Sequence, residues 1–281
     1  MAAGTDNKVL RQLEEQQKKE GSLPELLEFY QKLLQIQSGV GQGIDLPSPS
    51  FSSDFIKNRT AQGKPILKFS DLDLNWALLR DTFAKVTALF AEYPELFGAV
   101  PKELKELKPS RFPTKKAVKA WFDGAEMPTN TVPDNVSDAL VRNLIQASIK
   151  PFMSHYSTAL LGLVDQERWR RGYCPVCGGN PDIGFLDKEE GGRWLVCSRC
   201  DAEWIFKRLE CPYCGTADQN ALAYFTDDKG LYRLYVCEQC KHYLKTVDMR
   251  QAKSEVLLPL ERLLTLDIDS QARELGYIPC D

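Results

Sequence analysis

The pattern of apolar and polar positions changes character near residue 165. Before that point, apolar residues recur at helical spacing. Residues 7–20 are rich in Glu, Gln and Lys with few apolar anchors, which predicts a loosely held helix. Ser22 is a suitable N-cap and Pro24 suits a first turn; Leu26, Leu27, Tyr30, Leu33 and Leu34 then form one apolar stripe. Gly, Pro and Ser gather over 39–53, which predicts a loop. Ser70 opens the clearest amphipathic segment, with Leu72, Trp76, Leu79, Phe83, Val86 and Phe90 on one face and Pro94 as its stop. A short helix is expected over 114–122, closed near Gly124. Asp134 or Ser137 caps a longer run to about Leu163, which Pro151 should kink or divide.

After Arg171 the runs are short, aromatic and β-branched. Trp194-Leu195-Val196, Glu203-Trp204-Ile205-Phe206, Leu222-Ala223-Tyr224-Phe225 and the run 231–236 are separated by turn residues and read as antiparallel strands. Asp227-Asp228-Lys229-Gly230 is a hairpin turn between two of them. Helical spacing returns over 255–275, with Gly276 as the stop. The expected fold class is α+β: a helical N-terminal domain followed by two small rubredoxin-like or zinc-ribbon β modules. The expected partition is 1–165 helical, 166–208 first ribbon, 209–254 second ribbon, and 255–281 C-terminal helix and tail.

The cysteines explain why strands this short should fold. Eight of nine fall in four CxxC pairs: Cys174/Cys177, Cys197/Cys200, Cys211/Cys214 and Cys237/Cys240. The gaps between successive pairs are 19, 10 and 22 residues, so CxxC–long gap–CxxC occurs twice in tandem. Two residues between cysteines let both sulfurs reach one ion, and a strand–turn–strand gap returns the second pair beside the first. Pro175 and Pro212 set the turns, while Gly178 and Gly215 permit the positive φ that aims backbone N–H groups at sulfur. Sequential pairing is favoured over an interleaved one by the short middle gap. Four thiolates suit iron or zinc, and zinc is the commoner occupant of ribbons. Modules this small need the metal in order to fold.

Charge and composition narrow the function. The chain has 281 residues, is 43% hydrophobic and carries a net charge of −3. The region 165–250 has 13 Lys plus Arg against 14 Asp plus Glu. That balance disfavours a nucleic-acid partner, since Arg168-Trp169-Arg170-Arg171 is the sole basic cluster and reads as a solvated turn. No apolar run is long enough for membrane insertion, and the N-terminal residues lack a secretory core, so a cytoplasmic protein with reduced thiols is expected. No catalytic constellation is visible. His155 reads as a core or surface residue, His242 as hairpin surface close to the last knuckle, Glu189-Glu190 as solvated turn charge, and Cys280 as a free exposed thiol. The residues therefore point to an interaction protein and not to an enzyme.

The segment Tyr173-Cys174-Pro175-Val176-Cys177-Gly178 with Pro181, the run 194–200 with Glu203-Trp204, Cys211-Pro212-Tyr213-Cys214, and Cys237-Glu238-Gln239-Cys240 with Tyr243-Leu244-Lys245 resemble the formate dehydrogenase accessory proteins of the FdhE family. Leu275-Gly276-Tyr277 fits the same pattern. The resemblance spans about 172–277. It implies two rubredoxin-like ribbons, each with one metal ion (iron in this family), and a cytoplasmic assembly factor. Such a factor binds the immature formate dehydrogenase catalytic subunit before its cofactors are complete; a homodimer is compatible with it. Some aromatics among Trp204, Phe206 and Tyr235 would form a client-binding patch, although most should fill the ribbon cores. The rival readings are a ribbon-type nucleic-acid binder and a rubredoxin-like electron carrier.

Overall fold

The computed structural model of the chain describes residues 2–17, 24–44, 51–128 and 132–280. The helices of the first half are α1 (Ala2–Gln17), α2 (Pro24–Gln42), α3 (Ser53–Ala61), α4 (Trp76–Glu92), the single turns α5 (Pro94–Phe97) and α6 (Lys102–Lys105), α7 (Lys115–Asp123) and α8 (Asp138–Leu160). The chain forms two compact units, Met1–Pro47 with Lys68–His155, and Ser48–Leu67 with Tyr156–Asp281. Among the described residues, no helix is long and apolar enough to cross a membrane.

In the first unit the apolar stripes of α2 and α4 meet. Phe29 is 1% exposed, with Phe90, Tyr93 and Phe97 rings at 5.0, 5.5 and 4.4 Å. Leu79, Phe83, Val86 and Phe90 are buried at the expected spacing. Gly124 closes α7 in the left-handed conformation as the sequence predicts, and Thr114, placed by the sequence at the head of this helix, is its N-cap, accepting from the Ala117 N–H. Ser137 is the cap of α8, accepting from the Leu140 N–H at 3.3 Å.

Other boundaries differ. The expected loop begins too early, since α2 runs through Gly39 and Gly41 to Gln42. Each glycine costs a helix about 1 kcal/mol, and buried Val40 offsets this. Ser52, inside the expected loop, caps α3, which starts at that loop's last position. Ser70 sits in a 3₁₀ turn, and the true cap of α4 is Asn75, whose side chain accepts from the Leu78 N–H. Pro151 lies inside α8 without dividing it. Ser22 and Asp45 to Ser50 lie outside the described residues.

The second unit is built on one six-stranded sheet, of order β3-β2-β1-β6-β5-β4. Its strands are β1 (Pro181–Leu186), β2 (Arg193–Cys197), β3 (Glu203–Phe206), β4 (Leu222–Thr226), β5 (Tyr232–Cys237) and β6 (Tyr243–Asp248). The strands of each ribbon pair antiparallel, and the Asp227–Gly230 turn joins β4 to β5 as expected. The join between ribbons is made by two strands that the sequence reading did not single out: β1 pairs parallel with β6, Ile183 against Lys245 and Leu186 against Asp248. The C-terminal helical run is two helices, α9 (Leu258–Leu264) and α10 (Leu266–Glu274), which break at Thr265. They cover one face of the sheet. Leu258 packs with Ile183, Phe185, Val196 and Val247; Ala272 packs with Leu234, Val236 and Tyr243. Residues 51–67 belong to this unit too, where Ile66 and Leu67 donate backbone N–H groups to the Pro175 and Val176 carbonyls, both at 2.9 Å.

Candidate metal centres

Four knuckles share one local geometry. In each, the N–H of the first cysteine donates to the carbonyl of the second residue after the CxxC, and the residue directly after the second cysteine turns left-handed and donates back to the first cysteine's carbonyl. Gly178 and Gly215 do this with φ of 75° and 74°; Asp201 and Lys241 do it with 55° and 58°. Their N–H groups reach the carbonyls of Cys174, Cys211, Cys197 and Cys237 at 3.0, 3.0, 3.2 and 2.8 Å. The turn therefore presents both sulfurs on one side. Val176 and Arg199 also aim backbone N–H groups at Cys174 Sγ and Cys197 Sγ, each at 3.4 Å.

The hairpins bring these knuckles together sequentially. Cys174, Cys177, Cys197 and Cys200 form one group of four sulfurs, and Cys211, Cys214, Cys237 and Cys240 form the other. In the first, the Cys174–Cys200, Cys177–Cys197 and Cys177–Cys200 sulfurs are 3.6, 3.5 and 3.6 Å apart. In the second, Cys211–Cys240 and Cys214–Cys237 are both 3.7 Å apart. A tetrahedron with metal–sulfur bonds of about 2.3 Å has edges of about 3.8 Å, so the donor set fits one ion in each group. Two ions can be held; the geometry is common to iron and zinc. Without an ion, burial pushes the Cys174 and Cys200 thiols well up, and Cys211 is pushed up to about 11. A bound cation reverses this and holds coordinating sulfurs as thiolates.

The two groups differ in access. All four sulfur-bearing residues of the first are buried, whereas Cys214 is exposed and Cys240 half-buried in the second. The first is also braced from α9. Arg262 donates to both oxygens of Asp182 at 2.8 and 2.9 Å, to Asp201 at 2.7 Å, and to the Cys197 carbonyl at 3.1 Å. Burial lowers the Arg262 pKa, but the Asp182 and Asp201 carboxylates outweigh it and the net shift is upward.

The remaining residues singled out from sequence stay outside these groups. His242 is half-buried beside the second, with Nδ1 3.0 Å from the Cys240 carbonyl. Cys280 is half-buried, not exposed as expected. Asp187 organises the Glu189-Glu190 tip by accepting both of their backbone N–H groups. Arg168 and Arg170 pair with Asp165 and Glu167, which neutralises much of the basic turn. Trp204 and Phe206 are 0% and 3% exposed, so neither offers surface. The exposed large apolar groups of the ribbons are Leu209, Tyr224 and Phe225. Sequence reading missed Arg262 because its partners lie 61–80 positions away.

Residues 173–208 match the family model described as "FdhE, central domain". The "Protein FdhE homolog" of Aquifex aeolicus is 28% identical over 265 residues, covering 90% of this chain and 86% of its own. Those of Shewanella sp. strain MR-4 and Pseudomonas aeruginosa are each 30% identical. These two matches span about half of either chain: 47% of this one and 45% of the Shewanella protein, 48% and 49% for the Pseudomonas one. The crystal structure of the FdhE protein from Pseudomonas aeruginosa shares the fold, with a TM-score of 0.61 at 21% identity, over 98% of this chain and 92% of that one.

Proposed function

We propose that this chain, which is similar to the FdhE family, is an accessory factor in formate dehydrogenase maturation. In this reading it binds the immature catalytic subunit in the cytoplasm and performs no turnover of its own. Cys174, Cys177, Cys197 and Cys200 ligate one metal ion; Cys211, Cys214, Cys237 and Cys240 ligate the other. A metal supplies cross-linking here: four thiolates on one ion fix two knuckles that short strands alone cannot hold. The functional partition is the helical 1–165, the ribbons 166–208 and 209–254, and the tail 255–281.

The single observation that carries the reading is the pair of four-sulfur groups joined in one sheet. They make a stiff platform, and stiffness lowers the ordering cost of holding a partner. Client contact falls on the exposed aromatics Tyr224 and Phe225 with Leu209, not on Trp204 or Phe206.

The test is co-purification of the catalytic subunit from cells that express this chain with an affinity tag, together with formate dehydrogenase activity. Capture of the subunit is expected, with loss of both readouts in a Cys211→Ser/Cys237→Ser variant. A triple alanine variant at Leu209, Tyr224 and Phe225 should keep its metals and lose capture. Full activity in cells lacking this chain would sink the maturation role, and unchanged capture by the triple variant would sink the surface.

A further inference from the structure

The face of the sheet away from α9 and α10 holds a cavity of about 270 Å³ beside the second sulfur group. Residues 208–213 form one wall, and Leu222, Tyr224, Tyr235 and Leu244 supply much of the rest. Arg193 of β2 also lines it. This arginine is 3% exposed. The guanidinium stacks 4.6 Å over the Tyr235 ring, and its Nη1 donates to the Arg208 and Glu210 carbonyls at 3.4 and 3.2 Å. Its Nε is buried and has no hydrogen-bond partner among the described residues.

Other shielded cations of this unit have acids. Lys245 meets Asp269 at 2.6 Å, Arg233 meets Asp248 at 2.6 Å, and Arg262 meets Asp182 and Asp201. Arg193 has no carboxylate among the described residues. The nearby Glu210 side chain is taken by Lys207 at 2.6 Å. A guanidinium stays charged even when buried, and a buried charge with no carboxylate against it is expensive, an expense that the nearby Cys211 offsets only in part. Burial accordingly holds its pKa below the usual arginine value.

We propose that this cavity binds a monocarboxylate with an aromatic or branched apolar body, the carboxylate engaging the Arg193 guanidinium and the body lying against Tyr224, Tyr235 and Leu244. One buried cation matches one negative charge, and the mostly apolar walls offer little to a phosphate dianion. The size agrees: a cavity of about 150 Å³ accepts a benzene ring, so 270 Å³ holds a ring with a short carboxylate arm. The carboxylate can come from a free acid or from the C-terminus of a polypeptide ending in an apolar residue. This inference does not depend on formate dehydrogenase being the client.

The test uses full-length metal-loaded protein and isothermal titration. The probes are 3-phenylpropionate, the neutral 3-phenylpropionamide, inorganic phosphate, and a hexapeptide ending in Phe with a free or amidated C-terminus. Saturable binding of the acid, with the amide at least about tenfold weaker, is the expected result. Arg193→Met should weaken the acid about tenfold or more while both metals remain, and Leu222→Trp should block the cavity. The acid–amide comparison on the unaltered protein holds even if Arg193→Met fails to fold. Tighter binding of the free-terminus peptide than of the acid assigns the site to a chain terminus, and the reverse assigns it to a small molecule; both support the carboxylate site. Equal binding of acid and amide, preference for phosphate, or no saturation at about 10 mM overturns it. Loss of the second metal in Arg193→Met, with no acid bound by the unaltered protein, shows instead that Arg193 only balances the thiolates.

Discussion

Replacing Arg262 with methionine removes the side chain that hydrogen-bonds from α9 to the first sulfur group while keeping most of its apolar stem. Four hydrogen bonds go: two to Asp182, one to Asp201 and one to the Cys197 carbonyl. Two carboxylates are left without their cation. Breaking a buried pair of this kind typically costs about 3–5 kcal/mol. Asp182 and Asp201 keep 34% and 33% of their side-chain surface, so water recovers part of the loss and the low end, about 3 kcal/mol, applies. For a unit of this size each kcal/mol moves the midpoint roughly 2–4 °C, which gives a fall of roughly 6–12 °C. Thermal unfolding of the metal-loaded protein by near-ultraviolet circular dichroism reads it. Chelator-driven metal release should also quicken at the first group and not at the second. An Asp182→Asn/Arg262→Met cycle checks the assignment, because the double variant should lose less than the sum of the singles. A midpoint within about 2 °C of the parent would refute the reasoning.

Three further outcomes follow from the same geometry. A chelator should strip the second group before the first, since Cys214 is exposed and the first group is sealed; Cys174→Ser and Cys214→Ser variants assign each release phase, and the opposite order contradicts the burial argument. Hydrogen bonds from Arg250, and then from Arg233, hold the Asp248 carboxyl below its usual range despite burial. A lowered folded-state pKa gives stability that is present above the unfolded value, about 4, and lost as pH falls through the folded one. The cost of Asp248→Asn in urea unfolding should therefore be constant near neutrality and shrink toward zero below about pH 4; a pH-independent difference would count against it, and thiolate protonation cancels because both proteins share it. A Cβ on Gly172 would lie 1.8 Å from the Pro212 carbonyl oxygen. Backbone cannot yield cheaply, so Gly172→Ala should cost at least about 1–3 kcal/mol, read as a lower melting midpoint; an unchanged midpoint argues that the contact relaxes freely.

What the sequence disclosed was whatever is governed locally. Knuckle spacing, the Gly178 and Gly215 turns, the Gly124 stop and the Asp227–Gly230 hairpin all depend on residues a few positions apart, and all were legible. Strands β1 and β6 were not, although they are the centre of the sheet. Pro181, Asp182 and Gly184 dilute the first, while Lys245 and Asp248 interrupt the second. Those charges are tolerated because Lys245 reaches Asp269 and Asp248 takes Arg233 and Arg250, partners that no periodicity reveals. Gly184 is where it is because a Cβ there would meet the Trp194 carbonyl at 2.8 Å. Asp201 and Lys241 play the glycine part in their knuckles without the glycine signal. Arg193 reads in sequence as the polar start of a strand, and only the fold shows that it has no acid against it among the described residues.

The β1–β6 pairing changes what an ion at either sulfur group would do. A ribbon of about forty residues is too small to hold itself together by burial, and here neither ribbon keeps a core to itself. The cluster of Ile183, Phe185 and Val196 from the first ribbon is completed by Val247 from the second and Leu258 from α9. An ion at either group therefore stabilises a sheet that both ribbons share. The division of labour then follows from exposure. The first group is sealed and gripped by Arg262, so it serves as fixed structure. The second keeps Cys214 open, sits beside the Arg193 cavity, and adjoins the edge strand β4, where Tyr224 and Phe225 are 52% and 49% exposed. Contact with a partner through a metal-bearing ribbon is thus best made at the second. The first ribbon's contribution to that contact is the rigidity it passes through the paired central strands.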